Sequence, residues 1–204
     1  MTGRREAARK RYDAGYFEHW YRRSGLGVGQ RAFVGRKVHL ALAAAEYVLG
    51  RRARSVLDVG CGEAPWRAIL RRLRPGIEYL GVDSSAYAVA RFGRRRNIRP
   101  GSLATLASLR IGGRWDLVVC ADVLHYVPTA EVRAGLAALA PRVGGVGFLE
   151  AFTREDEIEG DRDGFQRRSR AQYRRMFAAA GLHPLGLHLY VRRTVRDSLV
   201  ALER

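Results

Sequence analysis

Apolar residues along most of the chain fall into short blocks that alternate between a helical and a strand-like rhythm. Residues 31–49 carry apolar side chains at spacings of three and four, which predicts one long helix. RSVLDV (54–59) is a short apolar run closed by a glycine, the pattern of a buried strand. PWRAILRRL (65–73) follows as an amphipathic helix with Pro65 in its first turn. IEYLGV (77–82) predicts a second strand, and SAYAVARFGRRR (85–96) a second helix with a basic outer face. NIRPGSLATL (97–106) reads as a weak third strand and loop, and WDLVVCA (115–121) as a strong fourth strand. A helix over 129–140 opens behind Pro128, GGVGFLEAF (144–152) is a fifth strand, and RAQYRRMFAAA (170–180) is a helix stopped by Gly181. The tail predicts a hairpin of two strands, LGLHLYV (185–191) and SLVALER (198–204). Strands alternating with helices imply an α/β fold, a mostly parallel sheet with helices on both faces. Residues 1–30 stand outside this rhythm. They are aromatic and basic, with Tyr12, Tyr16, Phe17, Trp20 and Tyr21 ahead of a loose SGLGVGQ, and are set apart as an extension to a domain over 31–204.

Composition narrows the picture. A length of 204 residues with 47% hydrophobic side chains suits one full-sized core. Cys61 and Cys120 both lie in apolar runs, which matches neither a disulfide framework nor metal-ligand spacing, so no metal is expected. That usage suits a reducing compartment, and a cytoplasmic location is the expectation. The basic start has no apolar run behind it, and VHLALAAAEYVLG is broken by Glu46 and too short to span a bilayer, so no membrane association is expected. The net charge of +17 favours an acidic partner such as nucleic acid. Against that, the charge is spread along the chain, and nearly all of it is arginine, with Lys10 and Lys37 the two lysines. Arginine, alanine and glycine enrichment of this kind also follows from a GC-rich coding sequence.

The stretch SVLDVGCGEAPW (55–66) carries the chemistry. A strand that ends in a glycine turn and feeds a helix offers backbone N–H groups and a positive dipole end to a ligand. Side chains at positions 60 and 62 would fill the space a ligand needs, which explains Gly60 and Gly62. Asp83, about 20 residues further at the tip of the second predicted strand, is placed to accept both hydroxyls of a ribose. The unit therefore suits a nucleoside. A pyrophosphate is disfavoured: Pro65 lacks an N–H where the helix begins, and Asp58 places a carboxylate before the turn. That carboxylate suits a ligand carrying an ammonium and a sulfonium.

LDVGCGEA, GVDSS, WDLVVCADVLHYVP and the glycine-rich GGVGFLEAF together resemble the motif series of class I S-adenosylmethionine-dependent methyltransferases, from about residue 54 to the end. The resemblance implies a Rossmann-like doubly wound sheet of seven strands, the last inserted antiparallel beside the sixth, and S-adenosylmethionine as cofactor. Carried over residue by residue, it has Asp58 orient the turn and hold the methionine end. Gly60, Cys61 and Gly62 pass under the methionine and ribose. Asp83 binds the ribose diol with Ser84 beside the adenine, Ser102 and Leu103 stand where the family often has Asp-Leu, Ala121 faces the methyl-bearing sulfur through its backbone, and Asp122 beside it is counted among the cofactor residues. Ala64 replaces the glycine usual at the third small position of the turn.

The acceptor side is less legible. Candidates that follow the fourth and fifth strands are Asp122, His125, Tyr126 and Glu150, with His125 a possible general base because its ordinary pKa is near neutral. The alternative for His125 is packing beneath the cofactor loop. The run YDAGYFEHWY (12–21) resembles lids of small-molecule methyltransferases, with Tyr12 and Tyr16 the residues expected to touch cofactor or acceptor. Six of the nine residues from Glu155 to Asp163 are acidic, in a loop after the fifth strand. Glu155 and Asp156 are read as attracting a cationic acceptor, against the alternative of a solvated loop that balances nearby arginines. Transfer to an O or N atom of a small molecule is the leading reading. RNA or protein methylation is a second, favoured by charge, although no N-P-P-Y, D-P-P-Y or K-D-K-E set is present. A non-catalytic nucleoside-binding subunit is a third.

Overall fold

In the computed structural model, which describes residues 10–26 and 31–203, seven strands form one sheet. They are β1 (Ser55–Val59), β2 (Glu78–Asp83), β3 (Ile98–Pro100), β4 (Trp115–Cys120), β5 (Val143–Leu149), β6 (Leu182–Gly186) and β7 (Leu189–Arg192). Their order across the sheet is β3-β2-β1-β4-β5-β7-β6. Neighbours from β3 to β5 pair in parallel, and β7 runs antiparallel between β5 and β6. Helices α2 (Arg31–Leu49), α3 (Pro65–Leu73), α4 (Ala86–Arg96), α5 (Thr129–Leu139) and α6 (Arg170–Ala179) cover the sheet. The short α1 (Ala14–Glu18) precedes them, and α7 (Arg193–Arg196) follows β7.

The core divides by strand alternation, because successive side chains leave a strand on opposite faces. On one face Val56, Leu117, Val119, Val146 and Phe148 meet Val38, Leu42 and Ala45 of α2, Trp66 and Leu70 of α3, and Phe92 of α4. On the other, Leu57, Val59, Leu80, Val82 and Val118 meet Val132 and Leu136 of α5 and Tyr173 and Phe177 of α6. Sandwiched strands need apolar residues on both sides, which is why they read as runs without alternation. Ser85 caps α4 by accepting from Ala88 N, and Ser169 with Gln172 forms a capping box on α6.

The C-terminal hairpin falls earlier than its predicted position. Both strands lie within 182–192, and 198–203 forms no strand. Leu189 and Val191 fill the slot beside β5, whereas Val200 and Leu202 are exposed and have no face to bury. The turn between β6 and β7 is built on Leu187 and His188, both at positive φ. Two-residue hairpins normally place Asn or Gly there, so the sequence carries no turn signal at that point. The predicted extension and domain boundaries also touch residues 1–9, 27–30 and 204, which lie outside the described residues. No helix among the described residues is long and apolar enough to cross a membrane.

Candidate active site

The chain leaves β1 towards β2 and β3, then returns to place β4 on the other side of β1. Such a switch point opens a crevice at the carboxyl ends of the strands. The turn after β1 and the loop after β4 meet there: a Cβ on Gly60 would lie 2.3 Å from a Val123 methyl carbon. Gly60 and Gly62 both take positive φ, so any side chain there is strained as well as blocked.

Asp83 closes the turn. Its Oδ2 accepts from Gly62 N at 2.6 Å and its Oδ1 from Ser85 N at 2.8 Å, and the residue is buried. Burial raises its pKa, and the two backbone donors oppose that rise. Asp58, 2% exposed at the base of the turn, accepts from Tyr79 Oη at 2.7 Å. Burial pushes its pKa up to about 7; the Tyr79 hydrogen bond works against the shift, and the Asp83 charge adds to it. Cys61 is buried with its Sγ against Gly81, and Cys120 is fully buried in β4. Burial raises both thiol pKa values, which suits packing and not nucleophilic work.

The neighbouring turns show which sequence candidates reach the crevice. Ser84 is exposed at the tip of β2, while Ser85 is the buried serine that donates to Tyr12 O at 2.6 Å. Ser102 and Thr105 share reciprocal hydrogen bonds, and Leu103 turns into the core beneath Gly135 of α5. Ala121 is half-buried at the tip of β4. Asp122 sits at a φ of +61°, a strained conformation for a residue with a side chain. His125 explains how it is held. Nδ1 accepts from Phe152 N at 3.4 Å, so Nε2 carries the hydrogen that faces Asp122 Oδ1 at 3.2 Å. His125 is 1% exposed and walled by Tyr126, Phe152 and Phe165. Both nitrogens are therefore engaged, and the packing alternative describes its position.

Glu150 is committed elsewhere. It is 2% exposed and pairs with Lys37 Nζ of α2 at 2.6 Å, so it is not free to take a proton from an acceptor. The acidic loop divides in a similar way. Glu155 and Asp156 are exposed and bound locally: Glu155 accepts from Arg170 N, and Asp156 from the Thr153 N and Oγ1. Asp161 is the acid of that loop that turns inward, to Lys10. Glu155 and Asp156, expected to attract a cationic acceptor, thus lie on the outer side of the loop, and Asp161 is its inward acid.

The N-terminal segment lies over the turns after β1 and β2 and the loop after β4. Tyr21 Oη stands 2.1 Å from where a Cβ on residue 62 would be, Arg22 pairs with Glu63 at 2.8 Å, and Phe17 is buried against Tyr21 and Tyr87. Lys10 reaches across to Asp161 and Tyr126. The two segments that sequence reading treated separately, the aromatic run and the acidic loop, thus meet over the crevice.

Arg168 escaped sequence reading. It is 3% exposed and donates to Leu124 O at 2.9 Å, Thr129 Oγ1 at 2.9 Å, Tyr173 Oη at 2.8 Å and Val127 O. These bonds tie down the loop that carries Asp122, His125 and Tyr126. In the sequence it is one arginine among several in QRRSRAQYRR, and nothing local marks it as the buried one.

A family model described as a methyltransferase domain matches residues 57–147, the segment that contains β1, the glycine turn, Asp83 and β4. That segment resembles a methyltransferase domain, and the sheet has the class I methyltransferase fold. Among solved structures, the fold resembles magnesium protoporphyrin IX methyltransferase from Synechocystis, solved with bound S-adenosylhomocysteine, at a TM-score of 0.60 and 22% identity over 86% of this chain and 89% of that one. It also resembles a sugar N-methyltransferase from Streptoalloteichus at a TM-score of 0.60 and 21% identity, covering 95% of this chain and 97% of that one. An amino pentose methyltransferase from Micromonospora echinaspora, solved with S-adenosylmethionine, matches at a TM-score of 0.56 and 22% identity over 78% and 89% of the two chains. A curated relative from Synechococcus, an uncharacterized protein, is 31% identical over 104 residues; these are 48% of this chain and 24% of that protein. The chain thus spans about a quarter of that relative's length. Among the described residues no cluster of three His, Cys, Asp or Glu side chains is placed to hold a metal ion.

Proposed function

We propose that the protein transfers a methyl group from S-adenosylmethionine to an O or N atom of a small-molecule acceptor. The observation that carries this is Asp83. Its carboxylate is buried at the tip of β2, with one backbone donor on each oxygen and the glycine turn beside it. Each oxygen keeps a further lone pair, enough to accept one ribose hydroxyl each. The turn itself fits the group, because Gly60 and Gly62 add no side chain to the backbone that a nucleoside must approach; the space over Gly62 is held by Tyr21 Oη of the N-terminal segment.

When bound, S-adenosylmethionine supplies an electrophilic methyl on a sulfonium, which moves by in-line displacement to a nucleophile. The chain's part is to bind, orient and exclude water. Asp58 holds the methionine end, and Gly60, Cys61 and Gly62 run beneath the ligand. Asp83 grips the ribose, Ser84, Ser102 and the backbone at Leu103 border the adenine, and Ala121 and Asp122 face the transferred group. His125 is a positioning residue that fixes Asp122 through Nε2, and Tyr126 lines the acceptor side. Residues 10–26 act as a lid. Tyr21 withdraws from Gly62 to admit the donor. A cover this close favours a small acceptor over a polynucleotide, and the porphyrin, sugar and amino pentose acceptors of the similar enzymes above point the same way.

The test is to incubate the protein with labelled S-adenosylmethionine and a lysate separated into metabolite, RNA and protein fractions. Label is expected in the metabolite fraction; label confined to RNA or protein would overturn the acceptor class, and no label anywhere the activity.

Donor affinity is expected to depend on pH through Asp58. The free protein holds a proton on Asp58 up to about pH 7, whereas a carboxyl in the unfolded chain loses it near pH ~4. The folded state binds the extra proton, so this group's contribution to stability is full below the unfolded value. It declines as pH rises to about 7 and is constant above that. A donor ammonium beside Asp58 favours the charged form, so affinity measured by calorimetry should rise from about pH 6 to about 8 and then level off. Asp58→Asn should flatten that profile; a flat profile in the unaltered protein would remove Asp58 from the donor site.

A further inference from the structure

We propose that Tyr12, Tyr16, Tyr126 and Asp161 form a binding site for the ammonium group of the acceptor, and that Lys10 Nζ stands in that site in the closed structure. The inference rests on the methyl-transfer reading above and names its acceptor class: a small cationic amine.

The site is built for a compact cation. Lys10 Nζ lies 4.1 Å from the ring centre of Tyr126, 5.3 Å from Tyr16 and 5.5 Å from Tyr12. It pairs with the Asp161 carboxylate and donates to Asp163 O at 2.9 Å. The side chains of Lys10 and Asp161 are 12% and 11% exposed. Three aromatic faces within about 6 Å, with a carboxylate, are the recognition chemistry of an ammonium ion. The rings are kept as neutral phenols, since burial and nearby carboxylates raise the pKa of all three; Tyr12 is pushed up to about 12. Tyr126 Oη is further fixed by donating to Asp161 O at 2.9 Å.

Location links the cage to the reaction. Asp122, at the tip of β4, lies close enough for its charge to act on all three tyrosines. The walls come from the lid, the β4–α5 loop and the β5–α6 loop, so all three rings and Asp161 are together only when the lid is closed, and the acceptor's ammonium takes the place of the Lys10 side chain alone. A latch for the lid would need Asp161 alone; three rings around the ammonium exceed that. The identity of the residue points the same way. Lys10 is one of two lysines among 37 basic residues, and a planar guanidinium has a different shape from the ammonium enclosed here.

The experiment uses the full chain with n-butylammonium as the probe, the length of a lysine side-chain end. Affinity for S-adenosylhomocysteine is measured first in every variant, and the probe is then titrated with that ligand saturating. Lys10→Ala is expected to bind n-butylammonium about ten-fold more tightly than the unaltered protein, because the cage no longer holds its own cation. Adding Asp161→Asn should reverse that gain, the neutral isostere 1-butanol should show none of it, and Glu155→Gln with Asp156→Asn should leave it unchanged. If Lys10→Ala fails to fold by thermal melting, Lys10→Met makes the same comparison with the stem retained. Equal affinity in the variant and the unaltered protein would overturn the proposal, as would equal gains for 1-butanol. Methylation of Lys10 itself, read by mass spectrometry after incubation with the donor, would make it an acceptor and also overturn the stand-in role. Failure to bind S-adenosylhomocysteine would instead sink the donor reading, and the probe comparison would still be read without it.

Discussion

Replacing Asp83 by alanine should lower the affinity for S-adenosylmethionine by about 100-fold or more, the largest loss expected from any single change in the donor site. A hydrogen bond to a charged acceptor contributes about 1.5–3 kcal/mol, and the carboxylate is assigned two ribose hydroxyls. Each 1.4 kcal/mol is about ten-fold, so two such bonds exceed a hundred-fold. The same change strands Gly62 N and Ser85 N, the donors now 2.6 and 2.8 Å from the carboxylate, in a buried turn. An unsatisfied buried donor costs about 1–3 kcal/mol, so a lower melting temperature should accompany the affinity loss. Asp83→Asn separates the two effects. One amide oxygen can still accept from the turn, so stability should recover further than affinity. Calorimetry and thermal melting on both variants check this, and unchanged donor affinity in Asp83→Ala would remove the ribose grip.

Lys37→Met should destabilise the protein by about 3–5 kcal/mol, because it leaves a buried carboxylate without its partner. Glu150 is 2% exposed, and its charge is balanced by Lys37 Nζ at 2.6 Å. For a domain of this size each kcal/mol shifts the melting temperature by about 2–4 °C, so a fall of about 10 °C is expected. Adding Glu150→Gln to Lys37→Met should restore most of it, since the destabilisation arises from the stranded charge and not from the lost attraction. Glu150→Gln alone should do less harm: the Lys37 side chain is 18% exposed and can turn towards water. A melting temperature for Lys37→Met equal to that of the unaltered protein would show that Glu150 is not held as a buried charge.

The two variants mark where sequence reading succeeded and where it did not. Asp83 was legible because its partners are close in pattern. A glycine turn and an acid about 20 residues on, each at a strand tip, belong to one supersecondary unit. Glu150 was legible as an acid at the end of a strand, but its commitment to Lys37 was not, because 113 residues separate the pair. The same limit applies to Arg168, whose four partners lie on one loop and two helices. It also applies to the acidic loop. Composition marked six acids without separating Asp161, which turns inward, from Glu155 and Asp156, which bond to their own neighbourhood. Lysine usage did hold a signal that was noted without being used. Both lysines, Lys10 and Lys37, bridge to carboxylates beside the crevice.

By itself the sequence determined the α/β class, the order of strands and helices through β5 and α6, and the glycine turn with Asp83 at the neighbouring strand tip. Each of those depends on residues near one another along the chain: apolar period, helix caps, and a turn that excludes side chains. Tertiary structure alone decided the register of the C-terminal hairpin, the burial of His125, the partners of Glu150 and Arg168, and the meeting of the N-terminal segment and the acidic loop around Lys10. Those outcomes depend on which distant side chains share a desolvated space. Pairing a charge or filling a cage there is governed by proximity in three dimensions, which local pattern does not encode.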